Sequence, residues 1–283
     1  MVGIVTAGTG IGTAVISLLA DYLITAYDWR VAYAVIGIGT LLIVVVASLL
    51  LKKSPAEIGL LPYGEEKIKS QSSKRVTVEY SFRDSVRTRN FAVLLVSFLF
   101  FGAALFSVMV HIVKHTTHIG ISPADGAMVL AIIGISNCIA RVGMGSVSDR
   151  IGSRLTLIIG FAFLAVSLIW LQIASELWMF YLFALVFGFA YGNILAGLAL
   201  APAEFFGLGS LGVIMGVILF SYTIGGAVGP IITGYLFDKT GNYSLAFLII
   251  AIVSVIGCIL VVLLRPQVVA KKRVSAKQPR EAS

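Results

Sequence analysis

Charge is scarce in this chain. Asp, Glu, Lys and Arg make up 12% of its 283 residues, against 59% hydrophobic residues. A soluble domain of this size has no use for that much apolar surface, whereas stretches of about 20 apolar residues cross a bilayer as helices. The period-two alternation of a membrane barrel is also missing, because the apolar runs are continuous. There are only two cysteines, Cys138 and Cys258, both inside apolar runs, so no disulfide framework is implied. The three histidines, His111, His115 and His118, fit no zinc pattern with a cysteine or nearby carboxylate. No metal or cofactor is expected. A G-x-x-x-x-G-K-[ST] loop is absent, which excludes drive by a P-loop ATPase within this chain. No nucleophile–base pair stands out, so the chain does not read as an enzyme. The segment after Met1 has no basic start and is long and glycine-rich, unlike a cleavable signal peptide.

What is present is a series of long apolar runs separated by short polar joints. Length and hydropathy predict eight spanning helices, over 2–26, 30–51, 90–114, 123–146, 155–174, 177–201, 210–236 and 244–265. The fold class expected is an all-α polytopic membrane protein, with the lipid bilayer as its surroundings. The net charge of +8 is explained by topology and not by nucleic acid. With eight spans, one side receives nine Lys and Arg from 52–89, Arg150 and Arg154, and six more from Arg265 onward. The other side receives Arg30, Lys114 and Lys239. This asymmetry predicts that both termini are cytoplasmic. The basic tail offers a second use, contact with anionic lipid headgroups.

The segment 52–89 is the one long polar stretch, and it divides the chain into two helices and six. Its turn formers (SPAEIGLLPYGEE) precede a Ser/Lys stretch expected to be flexible. Ser81 with Asp84 has capping-box spacing and predicts a short helix before the third span. An internal repeat is also visible. Gly8, Gly12 and Asp21 have the same spacing as Gly225, Gly229 and Asp238, at an offset of 217 residues. The first two helices then correspond to the last two.

Between the fourth and fifth runs lies GSVSDRIGSR, residues 145–154. Gly145 lets two helices approach closely. Asp149 is placed to accept from free N–H groups at a helix start. Arg150 and Arg154 can pair with it or with carbonyls at helix ends. Gly152 permits a positive-φ turn. This stretch resembles the G-x-x-x-D-R-x-G-x-R loop of the major facilitator superfamily, which joins the second and third helices of each six-helix half. DWR after the first span, SPAEIGLLP after the second, and GGAVGP with FDKTG around the seventh extend the resemblance along the chain.

The resemblance implies a transporter in which two bundles rock around a central site. Gly145, Asp149, Arg150, Gly152 and Arg154 would then form a gating latch. The expected organisation is 1–51 as the last two helices of an N-terminal bundle, with four helices missing before it. A cytoplasmic loop (52–89), a complete six-helix bundle (90–265) and a basic cytoplasmic tail (266–283) would follow. The implied location is the plasma membrane.

Arg141 is the one cation well inside a span, about 12 Å along the helix before Asp149. A charge at such depth faces a cavity or snorkels to the interface. The helix GISNCIARVGMGSVSDRIG resembles the one carrying a carboxylate-binding arginine in monocarboxylate transporters and oxalate/formate antiporters. That resemblance implies a small organic anion as substrate, with a coupling proton or an exchanged anion as its partner. There are departures. Animal monocarboxylate transporters pair that arginine with an aspartate one turn earlier, where this chain has Asn137. Oxalate exchangers add a lysine on the seventh helix, and this chain has none between Ser210 and Phe237, which favours a single carboxylate.

Further candidates for the substrate site are His111, Asn137, Tyr191 and Asn193. Each is open to a plain packing role instead. Gly225, Gly226, Gly229 and Pro230 form a segment that reads either as a hinge or as close packing. Gly188 with Gly192, and Gly212 with Gly216, are small-xxx-small pairs expected at helix interfaces. Two rival readings remain here. One is a non-transporting fragment of such a permease. The other is a drug exporter of the same fold, disfavoured because Thr13 stands where those exporters carry proline after Gly12.

Overall fold

A computed structural model describes residues 2–50, 81–207 and 209–265. The expected loop at 52–89 lies mostly outside these residues, and the tail at 266–283 lies wholly outside. The described residues fold into nine helices: α1 (Val2–Ala26), α2 (Trp29–Leu50), α3 (Phe82–Val86), α4 (Arg89–His118), α5 (Pro123–Ile151), α6 (Ser153–Leu171), α7 (Leu177–Phe206), α8 (Leu211–Thr240) and α9 (Ser244–Val262). All but α3 are long and apolar enough to cross a membrane. No strand occurs among the described residues.

The boundaries follow local chemistry. Thr88 caps α4 by accepting from the Phe91 amide at 3.2 Å. Ser122 caps α5, accepting from the Asp125 amide at 3.1 Å, while Pro123 occupies the first turn, where no N–H is needed. The short helix α3 begins after Ser81 as the sequence predicts, but Ser81 makes no side-chain cap bond. The capping box is therefore not formed; the Ser81 carbonyl instead accepts from the Ser85 hydroxyl. Asn90 closes the far end of the bundle. Its amide donates to the Arg265 carbonyl at 2.9 Å and accepts the Arg265 N–H at 3.2 Å.

Helices α4 to α9 pack around an aromatic core. Phe98, Phe101 and Phe161 are fully buried, with ring centroids 6.0–6.3 Å apart in edge contacts. Lipid tails are as apolar as these rings, so close packing rather than solvent exclusion holds such helices together. Glycine supplies it where α4 meets α8. A Cβ at Gly225 would collide with the Leu99 carbonyl, and one at Gly229 would stand 2.5 Å from the Ala103 carbonyl. Helix α8 runs unbroken through Pro230, so GGAVGP acts here as a contact face. Gly188 and Gly192 pack on α5 in the same way, against the Ile133 and Asn137 carbonyls. The expectation for Gly212 and Gly216 is corrected: nothing described lies within 4 Å of either. They fall on a face of α8 turned away from its neighbours. Helix α1 lies along α5, and α2 has α1 as its main neighbour.

Candidate functional site

Helix α5 is longer than hydropathy alone suggested, and this changes the reading of residues 145–154. The helix continues to Ile151, so Gly145 to Arg150 are helical. The expected loop shrinks to one residue, Gly152, at φ 83°, before α6 starts at Ser153. A helix tolerates the polar run because Ser148 is buried, with its hydroxyl accepting from Thr156 Oγ1 at 3.0 Å. The Asp149 side chain lies outside the described residues. The acceptor the structure does place at the start of α6 comes from α7. Glu204 Oε2 takes the Ser153 amide N–H at 2.9 Å and the Ser153 hydroxyl at 2.5 Å. A carboxylate there is favoured by the unpaired N–H groups of the first turn. Arg154 Nη2 donates to the Val262 carbonyl at the end of α9, at 3.0 Å. Arg150 is exposed. Sequence reading missed Glu204 because its partner is 51 residues away and belongs to a different helix.

Ten residues before the end of α5, about 15 Å along its axis, sits Arg141. It is 6% exposed. One turn earlier, Asn137 Oδ1 accepts the Arg141 Nε–H at 2.9 Å, so the two share a helix face as the spacing predicts. The Asn137 side chain is fully buried, and its Nδ2 has no hydrogen-bond partner. Tyr191 of α7 covers the guanidinium, with its ring centroid 5.7 Å from Arg141 Cζ. Phe101 of α4 touches Tyr191 at 6.2 Å and stacks on Tyr222 of α8 at 5.6 Å. Tyr191 thus meets the guanidinium directly, and the rings of Phe101 and Tyr222 stand behind it. Tyr222 was not singled out in the sequence, since nothing local marks it.

The other candidates lie elsewhere. Asn193 is buried but faces α6, donating from Nδ2 to the Thr156 carbonyl at 3.2 Å. His111 joins a separate group towards the α8–α9 turn. Its Nε2 is 3.1 Å from the Pro230 carbonyl and its Nδ1 is 3.3 Å from the Tyr243 hydroxyl. A carbonyl can only accept, so Nε2 carries a proton and donates to Pro230. Burial, with Asp238 nearby, holds the Tyr243 phenol above its usual range and keeps it a donor. Both ring nitrogens are paired, as in a packed polar residue. No group of three or more potential metal ligands occurs among the described residues. A cavity of about 390 Å³ lies between α1 and α5, but its walls are apolar residues such as Ile11, Leu18 and Ile135. It offers nothing to an anion.

The chain is similar to several known proteins. It is 26% identical to monocarboxylate transporter 12 of Rattus norvegicus over 284 residues, covering 91% of this chain and 58% of the rat protein. The human protein of the same name is 26% identical, with 87% and 52% covered. Monocarboxylate transporter 13 of Rattus norvegicus is 25% identical, with 87% and 55% covered. The chain therefore spans little more than half the length of these relatives. Among solved structures, it matches the major facilitator superfamily transporter FucP, crystallised in the outward conformation. The TM-score is 0.53 at 17% identity, covering 85% of this chain and 57% of that one. The Major Facilitator Superfamily model matches residues 1–145 and 92–282. With eight helices able to cross a bilayer and this match along its length, the chain is a multi-pass membrane protein belonging to the major facilitator superfamily.

Proposed function

We propose that the chain serves a secondary active transporter of small monocarboxylates or related organic anions, with Arg141 meeting the carboxylate. The observation that carries this reading is Arg141 itself: a guanidinium at membrane depth, oriented by Asn137 and covered by Tyr191. Its planar fork matches a carboxylate with two parallel bonds. The relatives named as monocarboxylate transporters support the same substrate class.

Transport would proceed by alternating access, with helix bundles rocking about this site. The basic residues of 52–89, Arg150, Arg154 and the tail favour a cytoplasmic position for that side and for both termini. In that orientation the Gly145–Arg154 stretch sits at the cytoplasmic end, where breaking and remaking its contacts would gate the cavity. The plasma membrane is the proposed location. A coupling proton or an exchanged anion would supply the drive.

The test is radiolabelled uptake of small monocarboxylates by cells expressing the protein. Arg141→Lys keeps the charge but loses the fork, and is expected to cut uptake about tenfold or more, the scale of a charged hydrogen bond. Unchanged uptake in Arg141→Lys at equal surface expression overturns the assignment.

A further inference from the structure

We propose that the end of the bundle at Gly152 is a docking surface for anionic phospholipid headgroups, built from Arg83, Arg87, Arg89 and Arg265. Only the assignment of this end to the cytoplasmic leaflet rests on the orientation given above.

A chain of contacts gathers these residues. Glu204 of α7 takes the Ser153 amide, and the next residue, Arg154, donates to the Val262 carbonyl at 3.0 Å. Three residues further on, Asn90 holds the Arg265 backbone twice. Its Nδ2 donates to the Arg265 carbonyl at 2.9 Å, and its Oδ1 accepts the Arg265 N–H at 3.2 Å. The end of α9 is thereby fixed beside the start of α4. Arg89 opens α4 directly before Asn90, and α3, with Arg83 and Arg87, comes just ahead of it.

The short helix α3 sets two of the four arginines. Its inner side is Ser85, fully buried, and Phe82, which packs against the hydrophobic core. Arg83 and Arg87 are four residues apart and share the outward side, flanked by Val86, which is 43% exposed. The apolar stretch of α4 begins at Phe91, so these guanidinium groups stand where headgroups meet the hydrocarbon layer. Arginine is suited to that level, because its stem lies along apolar surface while its head stays in the polar zone.

The electrostatics favour an anion. Arg83, Arg87, Arg89 and Arg265 are all exposed. Among the described residues, none of their guanidinium groups has a hydrogen bond, and the ion pair found there is Arg30–Asp28, at the start of α2. Asp84 is the one acidic residue of α3, and Ser153 occupies the Glu204 carboxylate. A guanidinium fork matches two phosphate oxygens, and an anionic leaflet supplies phosphate together with net negative charge. A zwitterionic headgroup carries its own cation and gains less from the same surface.

The experiment titrates fluorescently labelled phosphatidylserine into the purified full chain in dodecyl maltoside micelles. Labelled phosphatidylcholine is the neutral comparison, and inorganic phosphate is the competitor. The parent is expected to prefer phosphatidylserine, with the preference shrinking as salt is added. Substituting Arg83→Gln, Arg87→Gln, Arg89→Gln and Arg265→Gln in turn is expected to weaken phosphatidylserine about fivefold for each arginine removed. Arg30→Gln is expected to change nothing. Asp84→Asn removes the opposing charge and is expected to tighten binding, a gain that misfolding cannot produce. Equal binding of the two lipids by the parent overturns the proposal. So does phosphatidylserine affinity unaltered in the fourfold variant, which would assign the lipid to other basic residues such as those from Lys271 onward. Complete displacement by inorganic phosphate also overturns it, since the surface would then read a free ion. Micelles are blind to orientation, so labelling Ser283→Cys from outside intact cells tests the leaflet separately. Labelling there would overturn the cytoplasmic assignment and leave the lipid surface standing.

Discussion

Asn137 and Arg141 stand one turn apart on α5, and the amide oxygen of the first accepts the Nε–H of the second at 2.9 Å. The bond ties Nε of the guanidinium to its own helix face. Asn137→Ala removes that support, and monocarboxylate binding is expected to weaken about tenfold, measured by titration calorimetry. Asn137→Asp is expected to do something different. The new carboxylate neutralises Arg141 at neutral pH and releases it when protonated, so acetate binding should strengthen as pH falls through that titration. A variant that binds equally at all pH values would contradict this account.

The α4–α8 seam tests packing. Gly225→Ala places a methyl group against the Leu99 backbone and is expected to cost about 1–3 kcal/mol of stability. Gly212→Ala puts the same methyl group in open space within the same helix, so helix propensity is expected to make it neutral or mildly stabilising. Thermal unfolding of the two variants in detergent is the measurement, and equal melting temperatures would contradict the seam.

How much of this could be read beforehand depends on the range of the interactions. The eight spans were legible because crossing a bilayer requires a length of apolar chain, which is a local property. The Asn137–Arg141 pair was legible because both residues lie on one helix at a spacing of four. The row of rings from Tyr191 through Phe101 to Tyr222 was not, because it depends on how α4, α7 and α8 are arranged, and no window of sequence reports that. Residues 147–151 fall outside the helix expected from hydropathy because polarity reads as a stop signal, whereas a buried Ser148–Thr156 bond lets the helix continue. The repeat is only partly reflected in packing. Gly225 and Gly229 seat α4, while nothing described lies within 4 Å of Gly8 or Gly12; on α1 it is Gly10 that meets a neighbour, at Gly134 of α5.

Glu204→Ala removes the acceptor for both the Ser153 amide and hydroxyl. A lost helix cap of this kind is expected to cost about 1 kcal/mol, with Glu204→Gln recovering part of it. Melting temperature reads the stability, and hydrogen exchange at the start of α6 reads the cap directly. Unaltered exchange in Glu204→Ala would count against the bond.

Tyr243 gives a pH dependence with a definite sign. Its phenol is held above the ordinary value of 10.0, first by burial and then by Asp238. The unfolded chain therefore loses this proton before the folded one does. The stability it contributes is complete below about pH 10 and drains away as pH rises towards the folded-state value. Tyr243→Phe is expected to flatten the alkaline decline in melting temperature. A decline of the same steepness in the variant would refute the assignment.

A joint of one residue has mechanical consequences. Gly152 alone separates α5 from α6, and Glu204 ties α7 to the same elbow. A tilt of any one of the three helices must drag the other two, so Arg141 and Tyr191 ride on a single lever. The counterpart to that lever is α4 with α8, which holds Phe101 and Tyr222. On the proposed reading, whatever prises the two assemblies apart would part the guanidinium from these rings in the same stroke, so that letting go of an anion and swinging the helices would be one event.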